Sequence, residues 1–420
     1  MIELQRVVEA LDLGEHRELL RQEWQASQEV LPVGGLPFLQ ADVAADSCRT
    51  VSLPEEAVAP VQEAARRLDS DGPLQALVWL AHRALFAVAK RPDHSPWTRL
   101  EGQLGEAAPS FYLLVALSGL PRARALHDAR GIPEEVRCDT YLDIALWAQE
   151  YHAEHGVWGI RAGLLGWFMN HLWGELYRIG RLQYMLRPFP GRLLAFRNTG
   201  TDEVVALAED GLQFRRDGQC DGTNDVFDEE PWTSRLSVDE RGARGNPISP
   251  KGHAVRTEVF LPADHWEQAL ARGDTVLDMH IPAAEPMAYD ACGASMRAAP
   301  EFFRAYFPEM PFKAFSCTSW LLDSQLPALL PPSSNLVRFM QELYLWPRLG
   351  NGEQTFERVF SGVPADLTKA PRDTTLRRAI LDHVLAGGQM RSGGMFLLTG
   401  DLDWGRQVYL TGAPALTAMA

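Results

Sequence analysis

The period of the hydrophobic pattern changes near residue 180, and that change restricts the chain to a helical part followed by a strand-rich part. Before it, apolar residues recur at helical spacing, three to four apart. The segments are Ile2 to Leu11, Pro54 to Leu68, Leu74 to Val88, Ser110 to Leu120, Pro133 to His155 and the Trp-rich stretch Trp158 to Ile179. The second opens with a proline and two glutamates, the chemistry of a helix N-terminus. The third is apolar almost all round, so it belongs in a core. Residues 28–53 and 89–107 read as loops.

After residue 180 the pattern alternates. Arg181 to Arg187 reads as a half-buried strand, and Leu193 to Phe196, Val204 to Ala208 and Leu212 to Arg215 as a meander of short strands between turn residues. Residues 217–252 read as loop-rich and Pro262 to Arg272 as a helix closed by Gly273. Then come a strand from Asp274 to Ile281, a helix from Tyr289 to Phe307 interrupted by Pro300, and a strand from Phe312 to Leu321. Asp323 to Leu330, Asn335 to Glu342 and Thr374 to Leu385 read as helices; Leu343 to Pro347 and Gly394 to Leu398 read as strands. The plan is α+β: a helical domain over residues 1–178 and a mixed, mostly antiparallel sheet domain over 179–420. Within it, right-handed crossover makes the strands at 274–281 and 312–321 parallel neighbours.

Lys and Arg number 40 and Asp and Glu 55, a formal net charge of −15. That excess of acid argues against nucleic acid and anionic membranes as partners. The five cysteines lack CxxC spacing, which points to a reducing compartment without structural zinc or disulfides. The first residues lack a signal-peptide apolar core, and no apolar run reaches the ~20 residues of a membrane span. The expectation is a soluble cytoplasmic protein. GxxxxGK[ST], GxGxxG, HExxH and GxSxG are all absent, which removes the main support for nucleotide hydrolysis, dinucleotide reduction, zincin and serine-hydrolase chemistry. His152 and His155 at one helix end lack a third ligand, and the aspartates between Asp217 and Asp228 depart from a calcium loop at its third and twelfth positions. The expectation is no metal.

Three segments carry the chemistry. On the strand Asp274 to Ile281, alternation puts Asp278 and His280 on one face near its C-terminal end, where parallel strands of open sheets meet ligands. An imidazole beside a carboxylate suits a general base; the competing reading is a polar pair that ties down the following loop. The loop Pro282 to Ala288 then runs into a helix whose first N–H groups suit a phosphate. Ala288 at the N-cap offers no competing side chain, and Gly293 and Ser295 permit close approach, although Asp290 opposes an anion. The third segment is Phe315-Ser-Cys-Thr-Ser-Trp320, hydroxyl-rich for a central strand. Ser319 or Cys317 is its candidate proton donor; the competing reading of Cys317 is a buried thiol.

The order His280-Ile-Pro, a small-residue loop, a helix ending Phe302-Phe-Arg-Ala-Tyr-Phe-Pro308, then Phe315-Ser-Cys-Thr-Ser-Trp-Leu-Leu-Asp323 resembles a bacterial family. So do Leu330-Pro-Pro-Ser-Ser-Asn-Leu-Val-Arg-Phe339 and Asp373-Thr-Thr-Leu-Arg-Arg-Ala-Ile380. It is the acyltransferase-domain family with a helical N-acyltransferase N-terminal domain and a GNAT-like C-terminal domain. The resemblance implies acyl transfer from acetyl-CoA or another acyl-CoA to a small-molecule amine or peptide acceptor; the sequence leaves the oligomeric state open. On it, His280 or Asp278 is the base, and Ser319 or Tyr344 protonates the departing thiolate. Ile281, Ala288, Tyr289, Gly293, Ser295 and Trp320 border the CoA. The usual [QR]xxGx[GA] diphosphate loop is missing, and of its glycines only Gly293 remains. Two alternatives therefore stand: a GNAT-shaped binding or scaffold protein, and a GNAT-fold enzyme of another acyl-thioester reaction.

Overall fold

The computed structural model describes residues 2–283 and 285–411. The chain divides into two compact units, Met1–Ile179 and Gly180–Ala420.

The first unit is helical. Glu55–Ser70, Gly72–Phe86, Ala108–Leu117 and Glu134–His155 form close to the expected places. In Ala108–Leu117 seven consecutive positions from Phe111 to Leu117 are buried, so this helix runs through the core. Two expectations are corrected here. The supposed loop at 28–53 contains the helix Ala41–Thr50, which buries Ala44, Ala45 and Cys48 on one face. The supposed long helix from Trp158 is helical only over Leu164–Leu172; Gly174, at φ +64°, takes a left-handed conformation that ends it, and Leu176–Ile179 is a strand. His152, half of the weak metal pair, stacks on Trp158 with ring centroids 4.1 Å apart.

The second unit holds two main sheets. In the first, the strands run in the order Leu182–Pro188, Thr275–His280, Ala314–Ser319, Gly393–Leu398, Tyr344–Pro347. All neighbours are antiparallel except Thr275–His280 with Ala314–Ser319, which are parallel and joined by the helix Tyr289–Tyr306. The second sheet runs His253–Ala254, Pro247–Ser249, Val204–Ala208, Leu193–Asn198, Trp266–Ala271.

Trp266–Ala271 corrects the helix expected at 262–272. Its Glu-Gln-Ala-Leu-Ala run favours a helix locally, yet it pairs antiparallel with Leu193–Asn198 from Trp266↔Asn198 to Ala271↔Leu194, with an irregularity between Gln268 and Leu270. The region 217–252 also holds more strand than expected, including Leu236–Asp239 and Gly242–Gly245. Here the carboxylates of the calcium-like stretch serve turns: Asp221 Oδ1 accepts the Asp228 N–H at 2.8 Å, and Asp228 Oδ2 accepts the Arg216 N–H at 2.7 Å. Pro300 does not break its helix, which continues through it. Among the described residues no helix is long and apolar enough to cross a membrane.

Candidate active site

The strand Thr275–His280 keeps its antiparallel neighbour over its whole length, from Thr275↔Pro188 to His280↔Gln183. Its register with the parallel neighbour is shorter: Val276↔Ala314, Leu277↔Phe315 and Asp278↔Ser316. Beyond that point Ala314–Ser319 stays paired on its far side, up to Ser319↔Gly393. Two parallel strands that keep their outer partners while parting from each other leave a wedge. Asp278 and Ser316 stand at its apex. Met279 and His280 form one wall, and Cys317, Thr318 and Ser319 the other. Burial follows the same line: Val276, Leu277, Phe315 and Ser316 are 0% exposed, whereas Thr318, in the same central strand, is exposed.

The pleat puts Asp278 and His280 on one face, and His280 Nε2 lies 3.2 Å from Asp278 Oδ2. Residues directly opposite in a sheet share a face, so Gln183 and Ser316 join them. Both are buried. Gln183 Nε2 and Ser316 Oγ have no hydrogen-bond partner among the described residues. Sequence reasoning missed Gln183, because only its register opposite His280 brings it to the site.

The second wall ends in a cap. Ser319 Oγ accepts the Leu321 N–H at 3.2 Å, fixing the hydroxyl where Trp320 opens a short 3₁₀ turn. Its own proton remains to be donated, since the hydroxyl is both donor and acceptor. Ile281 and Trp320 are half-buried at the ends of the two walls. Cys317 is 4% exposed, and burial pushes its thiol well above the ordinary range.

Other predicted residues have different work. Tyr344 is 0% exposed; its hydroxyl donates to the Ile248 carbonyl and accepts the Ala206 N–H at 3.1 Å, tying the first sheet to the second. Burial also raises the pKa of Tyr344. Tyr289 is buried beneath the loop, and its hydroxyl donates to Glu342 Oε1 at 2.6 Å. Burial, and then the Glu342 carboxylate, push Tyr289 up to about 12. Ser295 Oγ meets the Leu182 N–H at 3.2 Å and the Tyr184 hydroxyl at 3.0 Å. A Cβ on Gly293 would come within 2.4 Å of Trp404, so packing, not a ligand, demands glycine there. Tyr289, Gly293 and Ser295 therefore position the helix instead of lining the loop's outer face.

Ala288 is the exposed N-cap of that helix and carries no side-chain cap. The buried Arg181 holds the preceding loop: its Nε donates to the Pro286 carbonyl at 3.1 Å and its Nη2 to that of Glu285 at 2.5 Å. A guanidinium more than 100 residues upstream thus takes part of the ordering role that a glycine-rich loop would have.

A family model for an N-acyltransferase N-terminal domain matches residues 42–174, and one for a GNAT-like C-terminal domain matches residues 176–397. The chain belongs to this two-domain, GNAT-like family. No curated protein matches by sequence. Among solved structures, the chain is similar to an acyltransferase in complex with decanoyl-CoA and teicoplanin, at 22% identity and TM-score 0.63, covering 95% of this chain and 100% of that one. It is also similar to a mutant acyltransferase in complex with octanoyl-CoA, at 22% identity and TM-score 0.62, covering 94% and 99%. A third, in complex with CoA and 10C-teicoplanin, is 22% identical with TM-score 0.63, covering 95% and 100%. These likenesses show that the family fold extends through nearly the whole chain.

Proposed function

We propose that the protein is an enzyme that moves an acyl group from a CoA thioester to an amine. The observation that carries this reading is the end of the parallel register at Asp278↔Ser316 while both strands continue. A wedge of this kind offers strand-edge N–H and C=O groups to an extended, amide-bearing chain such as pantetheine. The helix N-terminus at Ala288, with its loop held by Arg181, offers N–H groups to the diphosphate. Similar folds have been solved with decanoyl-CoA and octanoyl-CoA. They favour a donor longer than acetyl-CoA, and the complexes with teicoplanin favour a peptide-like amine acceptor.

The chemistry follows from the two walls. His280, oriented by Asp278, takes a proton from the acceptor nitrogen as that nitrogen attacks the thioester carbonyl. A backbone N–H of the wall stabilises the developing oxyanion. The C–N bond forms, the C–S bond breaks, and the departing thiolate takes a proton relayed through the Ser319 hydroxyl, which regains one from solvent while His280 keeps the amine proton until it too returns it to solvent. The test is thiol release from decanoyl-CoA with a panel of amines and amine-bearing peptides. Acceptor-dependent release that is lost in His280→Ala supports the reading. Thioester binding without release for any amine favours the other acyl-thioester reactions, and no binding at all favours a scaffold.

A further inference from the structure

The second unit contains a cavity of about 420 Å³ whose lining comes from both sheets. Leu193, Leu212, Phe214, Ile248, Trp346 and Pro347 make most of its wall apolar. Thr318, from the second wall of the wedge, also lines it. The cavity therefore reaches the second wall of the wedge at Thr318.

Two further observations fix its relation to the wedge. The register runs Thr318↔Gly394↔Trp346 across three strands, and a Cβ on Gly394 would come within 2.2 Å of the indole. The Trp346 ring thus lies flat across Gly394 beside Thr318 and extends the cavity floor towards the wedge. The helix Tyr289–Tyr306 packs on the other face of the sheet, since Ser295 meets the hydroxyl of Tyr184, which stands opposite Met279 rather than Asp278 or His280. A thioester that starts at the N-terminus of this helix and passes through the wedge emerges on the cavity side.

We infer that this cavity holds the hydrocarbon tail of a medium-chain acyl-CoA. This rests on the acyl-transfer reading above and adds to it the part of the fold that measures chain length. The apolar part of the wall suits an alkyl chain, while Arg192, Asp221 and Arg348 also line the cavity. Burial pushes Cys220 up to about 11, so it presents a neutral thiol, and Arg192 is held by Glu209 at 2.9 Å. A volume near the lower end of ligand pockets suits a single chain better than a large acceptor.

The test uses the full chain with acetyl-CoA, hexanoyl-CoA, decanoyl-CoA and free CoA. Calorimetry is expected to show decanoyl-CoA binding at least tenfold tighter than acetyl-CoA. Leu212→Trp, which fills the cavity from its half-buried rim, is expected to bring that ratio near one while the affinity for free CoA stays within twofold. An independent readout needs no change in the cavity. In a Cys138→Ser background, which removes the exposed thiol, decanoyl-CoA is expected to slow maleimide labelling of Cys220 at least fivefold, and free CoA is not. An unchanged chain-length ratio in Leu212→Trp, together with unprotected Cys220, overturns the inference while leaving acyl transfer standing. A variant that raises only the KM of the amine gives the cavity to the acceptor and overturns it as well. Failure of every CoA species to bind wild-type protein overturns the acyl-transfer reading and this inference with it.

Discussion

His280 Nε2 stands 3.2 Å from Asp278 Oδ2, and Asp278 is the last residue of its strand in register with the parallel neighbour. The titratable pair thus sits where the sheet opens. General-base catalysis contributes about 10²–10⁴-fold. His280→Ala is expected to lower kcat/KM by at least 100-fold with little change in Tm, because the side chain is partly exposed. Asp278→Asn is expected to lower kcat by a smaller factor and to leave the KM of the thioester unchanged, since it removes the group that orients the imidazole and not one that holds CoA. Steady-state kinetics on both variants checks this.

Tyr344 is where a structural hydroxyl can be told from a catalytic one by measurement. Removing it in Tyr344→Phe leaves the Ala206 N–H and the Ile248 carbonyl without their partner. The expected cost is about 1–3 kcal/mol of stability, read by urea unfolding, with kcat per folded molecule unchanged. A tenfold loss of kcat in folded protein would restore Tyr344 as a proton donor.

Much of this site is legible in the sequence, and the reasons for the rest are physical. Alternation alone places Asp278 and His280 on one face, and crossover handedness makes the strands at 275–280 and 314–319 parallel. The point where they part is not legible, because register depends on what lies on the outer sides of both. Trp266–Ala271 carries helix-forming residues and becomes a strand only because the edge of Leu193–Asn198 is available to it. Arg181 and Gln183 act on groups about 100 residues away in sequence, so no local motif announces them. Tyr289, Gly293 and Ser295 have the right residue types beside a loop, yet Glu342, Trp404 and Tyr184 already occupy them.

Gly293 provides a packing test. The Cβ of Gly293→Ala would come within 2.4 Å of the Trp404 ring. Overpacking of this kind costs about 1–3 kcal/mol. The double variant Gly293→Ala/Trp404→Leu is expected to be less unstable than the sum of the two single variants, as measured by thermal unfolding.

Two histidines of the first unit set a pH dependence of stability. Burial lowers His82 and His127 from 6.5 to about 4. Between pH 6.5 and 4 the unfolded chain binds protons at these positions that the folded chain does not. Stability therefore falls as pH drops through that window and is level above it. For His127, which is 0% exposed, the loss is on the order of 3 kcal/mol. Denaturant titrations at pH 7, 5.5 and 4.5 are expected to show the decline, and His127→Gln to make it shallower.

Everything proposed for the site depends on a CoA thioester occupying the wedge between Met279–His280 and Cys317–Ser319. Calorimetric titration of the purified protein with decanoyl-CoA tests that occupancy most directly. Micromolar, one-to-one binding that raises Tm is the expected result. Absence of heat and of any Tm shift at millimolar ligand would contradict it.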